Sequence, residues 1–474
     1  MNTRFRWTDR TVSEALGLTW DPDTGTTSYR RVSTDSRAVG AGDLFVALRG
    51  ERFDGHDFAA QAVRGGARGI VVSRMVELPA AVGGVSCFRV ANTLAALGDL
   101  ANHRRLALGA DVVAVTGSSG KTTVKELLLG ALHSSRRVHA THGNRNNRIG
   151  VPLTILEAPA DAEMLVLEMG TSEPGEIALL TSVAQPDHAV VTTVSEAHLT
   201  GLGSLAGVLD EKLDLIRGAA VSGIAVVGDE PAELARAARA IRPDTRVAGL
   251  SARADAGLRG RALDPGPDGT YRIEVGGRVL RPGLPGLHGA RNVLLALAVA
   301  RLLGVAEDAA IAGASEVTPA PFRGEMRAVG GLTMILDCYN ANPQSLAAAL
   351  ELLAGLAAPS RKVAVLGSML ELGERSGQLH RRVLEKARSL PLDVLVATGE
   401  FAAAASGGNP SSGRGSGPEL VVSRTVDGGY EALRSRLDGT ETVLLKGSRS
   451  VRLERLLPLF ERDFGVPAAS GRGG

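Results

Sequence analysis

The chain has 474 residues, room for about three domains, with 44% hydrophobic and 3% aromatic residues and a formal charge of only +2. So small a charge gives no surface for a polyanion, and so few rings give no base-stacking platform, so neither nucleic acid nor a membrane surface is expected as partner. Cys87 and Cys338 are the only cysteines, too few for a disulfide scaffold or a cysteine-rich zinc cluster, and no apolar run has the length of a secretion signal or a membrane span, so a soluble, cytoplasmic protein is expected.

In chain order, residues 1–108 read as a small mixed α/β unit. Residues 43–48 and 69–72 are apolar and partly β-branched, which predicts strands, and residues 57–65 and 92–106 have helical spacing. No catalytic cluster stands out, so this unit looks like a binding module. A domain boundary is expected near Gly109.

Asp111-Val-Val-Ala-Val-Thr-Gly-Ser-Ser-Gly-Lys-Thr-Thr-Val-Lys-Glu-Leu-Leu-Leu-Gly130 reads as strand, glycine-rich turn and amphipathic helix. The backbone N–H groups of Gly117, Ser118, Ser119 and Gly120 and the helix start at Lys121, Thr122 and Thr123 can hold phosphate oxygens. Lys121 can reach the terminal phosphates, and a threonine hydroxyl can sit on Mg²⁺. The usual loop has four residues between its first glycine and Gly-Lys, whereas this one, from Gly117, has two. A lysine at a helix start is poor dipole electrostatics unless an anion is bound there.

From there to about residue 317, apolar runs at 112–115, 164–168, 189–192 and 223–227 alternate with helical stretches, the pattern of a mostly parallel sheet covered by helices. Such sheets bind ligands beyond the carboxyl ends of their strands. Glu168 ends one run and residues 192–198 follow another. Glu168 is either a loop carboxylate or a ligand for Mg²⁺, which prefers oxygen. His198 is either structural or a ligand. Composition alone makes Lys212 a solvated lysine on a helix. Residues 251–283 read as a hairpin insertion, and Asn292, at the expected start of a helix over 292–303, fits either a nucleotide edge or a cap.

Residues 318–474 repeat the alternation, with strands expected at 332–336, 362–366, 393–397 and 442–445 and a helix from Ser345, which implies a doubly wound sheet. The Gly/Ser-rich piece 406–417 reads as a flexible excursion, and the polar tail 466–474 as too small to pack.

Taken together, Ser33-Thr-Asp-Ser-Arg37, Gly42-Asp-Leu-Phe-Val-Ala-Leu48, Asp54-Gly-His56, residues 116–123, Thr141-His-Gly-Asn-Arg-Asn-Asn147, Glu168, Ala197-His-Leu199, Asn292, Asp337-Cys-Tyr-Asn-Ala-Asn-Pro343, Gly367-Ser-Met-Leu-Glu-Leu-Gly373 and Lys446-Gly-Ser-Arg449 resemble the Mur ligases, ATP-dependent enzymes of peptidoglycan synthesis. The resemblance covers nearly the whole chain. It implies an α/β fold of three domains: a UDP-substrate-binding domain (1–108), a central P-loop ATP-binding ligase domain (109–317) and a C-terminal Rossmann-like domain (318–474).

By that resemblance, Ser36, Arg37, Asp54, Gly55 and His56 hold the uridine diphosphate end of the substrate. Gly117 to Thr123 and Asn292 hold ATP, with Arg323, Asp337 and Asn340 completing the nucleotide site from the C-terminal side and Asn342 facing the amine substrate. Thr122 would bind one Mg²⁺, and Glu168 and His198 a second. Lys212 matches a lysine that carries a carbamate, which exchanges a cation that would repel Mg²⁺ for an anion that can ligate it. Lys121, Glu168, His198 and Lys212 are the expected catalytic set.

The reaction implied is transfer of the ATP γ-phosphoryl to a peptide carboxylate, then amide formation with an incoming amine. Tyr339-Asn-Ala-Asn-Pro343 points to D-alanyl-D-alanine as that amine and a UDP-N-acetylmuramoyl-tripeptide as the acid. The rival within the family adds diaminopimelate or lysine to the dipeptide nucleotide and characteristically reads Asp-Asn-Pro-Arg there. Folylpolyglutamate synthases share the ATP core but lack the amino-terminal domain, and a binding protein without catalysis has no use for a paired metal site. Departures from the family pattern are Gly289 where Asn is common, Ser368 where Asp is usual, and Val227-Gly-Asp229 without its customary Asn. A monomer is expected.

Overall fold

The structure, a computed structural model, describes residues 5–21, 26–79, 84–357, 360–406 and 417–465. The flexible excursion expected at 406–417 (apart from its end residues) and the tail 466–474 lie outside the described residues.

A six-stranded, all-parallel sheet organises the middle of the chain. Its order is Arg246–Ala248, Ala225–Gly228, His188–Val191, Asp111–Thr116, Met164–Glu168, Val138–Ala140. From Asp111–Thr116 the chain first builds the Met164–Glu168 side, then returns to build the His188–Val191 side. The carboxyl ends of these three strands therefore meet where the order reverses, the usual place for a ligand in such sheets. Strand Asp111–Thr116 is buried apart from Asp111. The helix after it, Lys121–His133, packs down through Val124, Leu127, Leu128, Ala131 and Leu132, all fully buried at i, i+3, i+4, i+7 and i+8. Each such Leu or Val contributes about 1.5–3 kcal/mol relative to exposure.

The C-terminal sheet is also six-stranded, ordered Glu325–Val329, Leu332–Asp337, Thr442–Lys446, Lys362–Leu366, Val394–Thr398, Glu419–Ser423, with the first pair antiparallel and the rest parallel. Its central strands end at Asp337, Lys446 and Leu366, which gathers the loops that follow them at one edge of the sheet. Near the amino terminus a four-stranded parallel sheet runs Val32–Ser33, Leu44–Val46, Gly69–Val72, Ser86–Arg89. The mixed α/β character expected from the sequence, with a parallel sheet in the second region and a mostly parallel one in the third, is the observed architecture.

Several local expectations need correction. Residues 251–283 hold more than the single hairpin expected: Arg261–Pro265, Tyr271–Val275 and Arg278–Leu280 form a three-stranded antiparallel sheet. The helix expected from Asn292 begins at Gly286, so Asn292 lies inside Gly286–Leu302 and is not its cap. The small residues Gly286, Gly289 and Ala290 carried too little periodicity to mark that first turn. The helix expected from Ser345 is Pro343–Gly355, opened by Asn342, whose side chain accepts Ser345 N–H while Ser345 answers in a capping box. The expected helix at 57–65 divides into a 3₁₀ turn, Gly55–Phe58, and a short α-helix, Ala59–Arg64.

Candidate functional site

The central and C-terminal sheets face each other across a cleft of about 1010 Å³. One wall is the glycine-rich loop. A Cβ on Gly117, at φ 147°, would lie 1.9 Å from Thr192 Oγ1, so no side chain fits there. Thr192 Oγ1 donates to Ser119 O at 2.5 Å, Ser118 N to Thr193 O at 2.8 Å, and Ser195 N to Ser118 Oγ at 2.9 Å. These bonds lace the loop to residues 192–195, which leaves the N–H groups at the helix start facing the cleft as anion donors.

Lys121 donates to Gly117 O at 2.8 Å. Burial pushes its ammonium below the ordinary lysine range, Glu168 opposes that shift, and Arg323 adds to it. Thr122 Oγ1 donates to Glu168 Oε2 at 2.8 Å, and Asn146 Nδ2 to Glu168 Oε1 at 2.8 Å. Glu168, 1% exposed, is anchored from behind: its N–H donates to Thr141 Oγ1 at 2.9 Å, and the buried Lys125 donates to Thr141 O at 2.8 Å. A carboxylate and a hydroxyl beside a phosphate cradle are hard oxygen donors suited to Mg²⁺, which keeps several waters and needs few protein ligands. That matters because no group of three or more His, Cys, Asp or Glu able to hold a metal occurs among the described residues.

His198 also lines the cleft. Its Nδ1 meets Glu371 Oε2 at 2.5 Å. Glu196, two residues earlier, receives Arg375 at 3.1 Å and Arg382 at 2.5 Å.

Lys212 departs from the composition reading. It is 1% exposed, on the buried stripe Val208, Glu211, Lys212, Leu215, Ile216 of helix Leu205–Gly218. Its ammonium has no hydrogen-bond partner among the described residues. Burial holds it well below the usual lysine range, Lys121 lowers it further, and Glu211 and Glu176 raise it only in part. The neighbouring Glu211 is committed elsewhere: it accepts Thr171 Oγ1 at 3.1 Å, Gly175 N at 2.7 Å and Ile177 N at 2.8 Å. Asp214 is taken by Arg217 at 2.6 Å.

Asn292 faces the loop: a Cβ on Gly120 would sit 2.6 Å from Asn292 Oδ1. Asp229 is a bracket, accepting Leu250 N at 3.0 Å and Ser251 N at 2.6 Å. At the departure Gly289, a Cβ would approach Leu284 O to 2.9 Å, so a side chain there would require that backbone to shift. Ser368, another departure, accepts Glu400 N at 3.0 Å and so anchors the start of helix Glu400–Ser406.

The opposite wall comes from the C-terminal sheet. Asp337 pairs with Lys446 at 2.9 Å, Lys446 also donates to Asn340 O at 2.8 Å, and Arg323 stacks on Tyr339 at 3.8 Å. Asn342 Nδ2 reaches across to Ser118 O at 3.4 Å, so both ends of that amide, its cap included, are engaged within the protein.

The amino-terminal candidates lie apart from this cleft. Arg37 is held by Asp35 at 2.8 Å, in the turn that carries Ser36. His56 is buried, with Nδ1 2.6 Å from Asp54 Oδ1 and Nε2 accepting Ser73 N at 2.8 Å. Both ring nitrogens are therefore used to fix the turn at Asp54 and Gly55.

Sequence reasoning assigned no role to Asn146, Thr141, Lys125, Glu371 or Lys446. The signal for Lys125 and Lys212 was available in the helical spacing, since both fall on the buried faces of their helices.

Family models match most of the chain: "Mur ligase family, catalytic domain" over residues 28–105, "Mur ligase middle domain" over 115–300, and "Mur ligase, glutamate ligase domain" over 323–449. The UDP-N-acetylmuramoyl-tripeptide–D-alanyl-D-alanine ligase of Bacillus subtilis is 33% identical over 95% of this chain and 97% of its own length. Among solved structures, MurF from Acinetobacter baumannii superposes with a TM-score of 0.86 at 30% identity, covering 97% of this chain and 99% of that one. MurF ligase from Thermotoga maritima in complex with ADP gives 0.78 at 31% identity, over 92% and 98%.

Proposed function

The chain belongs to the Mur ligase family, and from that premise we infer that it joins D-alanyl-D-alanine to UDP-N-acetylmuramoyl-tripeptide, consuming ATP and giving the pentapeptide nucleotide, ADP and phosphate. It is an ATP-dependent amide-forming ligase of peptidoglycan synthesis. The observation that carries this reading is a single cleft with two unlike walls: phosphate loop, Lys121 and Glu168 on one side, Asp337, Tyr339, Asn340 and Lys446 on the other. One wall is equipped for phosphoryl transfer. The other completes the nucleotide site with Arg323, Asp337 and Asn340 and, through Tyr339-Asn-Ala-Asn-Pro343, presents an amine. The family rival that adds diaminopimelate or lysine is not favoured.

The chemistry then divides between the walls. Backbone N–H groups of Ser119 to Thr123 and the Lys121 ammonium hold the β- and γ-phosphates. The tripeptide's terminal carboxylate oxygen forms a bond to the γ-phosphorus as the bond to ADP breaks. Donors fixed in place before the reaction stabilise the charge on the equatorial oxygens. Thr122 would hold one Mg²⁺, and Glu168 and His198 a second, and these ions would supply charge neutralisation there. The amine nitrogen of the dipeptide next bonds to the acyl carbon and loses a proton, and the carbon–oxygen bond to phosphate breaks. Contacts between the walls, such as Asn342 to Ser118 O, keep water from the acyl phosphate.

Lys212 is assigned a carbamate. Only a neutral amine adds CO₂, and a buried lysine with a depressed proton affinity presents one. Ser36, Arg37, Asp54 and Gly55 take the uridine diphosphate end, with His56 supporting their turn, and Asn292 takes the adenine. The domain limits near 109 and 318, a monomeric state and a cytoplasmic location complete the proposal; no described helix is long and apolar enough to cross a membrane. The test is phosphate release by the purified protein. It is expected only when both the nucleotide tripeptide and D-alanyl-D-alanine are present, and turnover with diaminopimelate and the dipeptide nucleotide contradicts the assignment.

A further inference from the structure

His198 and Glu371 meet from different domains. His198 follows the strand His188–Val191 of the central sheet, and Glu371 follows Lys362–Leu366 of the C-terminal one. Nδ1 and Oε2 are 2.5 Å apart, and the contact is doubled by Thr200 N donating to Glu371 O at 3.1 Å. Both residues have left-handed backbones, φ 54° and 62°, which side chains other than glycine adopt only when their surroundings impose it. Two strained residues in direct contact across a domain boundary mark a junction that the fold maintains at a cost.

The chemistry of the pair is directional. A carboxylate accepts and does not donate, so Nδ1 carries the proton, and in the neutral ring, the form that binds a metal, Nε2 is left with the lone pair. Nε2 has no hydrogen-bond partner among the described residues, and the ring borders the cleft. A metal-binding histidine is commonly oriented in this way by a carboxylate on its other nitrogen. Here the carboxylate belongs to the other domain. The loop that carries His198 is also tied in both directions, to the phosphate loop through Ser118 and Thr192 and to the C-terminal domain through Glu196 with Arg375 and Arg382.

We propose that Glu371 is a positioning residue for His198: its carboxylate fixes the imidazole tautomer from across the domain boundary, so that the metal site is complete only when the C-terminal domain is docked. This rests on the reading of His198 as a metal ligand. Metal affinity and docking are then linked, and each strengthens the other by the same factor. An undocked enzyme, which would expose an acyl phosphate to water, holds its metal weakly.

The experiment measures Mn²⁺ affinity of the full chain with a non-hydrolysable ATP analogue, by electron paramagnetic resonance, and domain docking by small-angle scattering. Glu371→Ala is expected to weaken Mn²⁺ binding about 10–100-fold. Glu371→Gln, which keeps an acceptor oxygen and serves as the second variant should the alanine protein fail to fold, is expected to recover part of that loss. Arg375→Ala with Arg382→Ala loosens docking without touching the ring and is expected to cost less affinity than Glu371→Ala. Unchanged affinity in His198→Ala overturns the ligand reading itself. Weakened binding in His198→Ala with wild-type affinity in both Glu371 variants overturns this inference alone. So does an equal loss in the Glu371→Ala and double-arginine proteins, because Glu371 then only docks the domains.

Discussion

Thr122 Oγ1 donates to Glu168 Oε2 at 2.8 Å, joining the first turn of the loop helix to the end of the neighbouring strand. Asn146 takes the other carboxylate oxygen, so Glu168 is aimed before any ligand arrives. Glu168→Gln can preserve both contacts, accepting from Asn146 and meeting Thr122 with its amide. It should therefore fold with a thermal midpoint close to wild type while kcat falls by about 10²-fold or more, the scale of losing a charge that faces the transition state. Steady-state phosphate release with a parallel melt checks it; near wild-type turnover excludes Glu168 from the reaction.

Among the described residues the Lys121 ammonium makes one hydrogen bond, to Gly117 O. Lys121→Ala should cut phosphoryl transfer by about 10²-fold or more by removing a donor aimed at developing charge. Because the side chain adds little core packing, stability should change by less than about 1 kcal/mol. Single-turnover kinetics and urea unfolding separate the two effects.

Glu211 provides a contrasting, structural case. Its buried carboxylate accepts three hydrogen bonds that hold the turn into helix Glu176–Ala184. Glu211→Ala strands these donors and should cost about 2–5 kcal/mol in a urea titration. A loss within experimental error of zero means that water replaces the carboxylate at no cost.

The pH dependence of Lys212 has a definite sign. Its folded-state proton affinity lies below the ordinary lysine value of 10.5, so in the window between the two the unfolded chain binds more protons and stability rises with pH. In CO₂-free buffer, Lys212→Met should thus be more stable than wild type near neutrality, with the advantage shrinking as pH approaches the ordinary lysine range. An advantage that grows with pH contradicts the burial argument. In activity, Lys212→Ala should be nearly inert and regain turnover with a small carboxylic acid, which fills the anionic position of the carbamate. Rescue by a small amine instead assigns Lys212 a cationic role.

Much of this was legible in the chain. Strand 111–116, the loop and the helix after it announce themselves by a β-branched run, clustered glycines and 3.6-residue spacing, all local signals. The ends of strands 164–168 and 362–366 could be read for the same reason. Helix Gly286–Leu302 was placed late because its first turn is built of small residues with no periodicity of their own. What the sequence could not supply was long-range pairing: Glu371 against His198 and Asn342 against Ser118 depend on how two sheets face each other. Lys212 was misplaced by composition, which treats a lysine as solvated wherever it stands, although its spacing with Val208, Leu215 and Ile216 put it on the apolar face.

The most direct measurement follows an oxygen atom. With the terminal carboxylate of the nucleotide tripeptide labelled with ¹⁸O, and with ATP, Mg²⁺ and D-alanyl-D-alanine present, attack of that carboxylate on the γ-phosphorus transfers one labelled oxygen to the released phosphate. Mass spectrometry of the phosphate should find it there in each turnover that forms pentapeptide. Phosphate that carries no label while pentapeptide accumulates contradicts an acyl phosphate formed in this cleft.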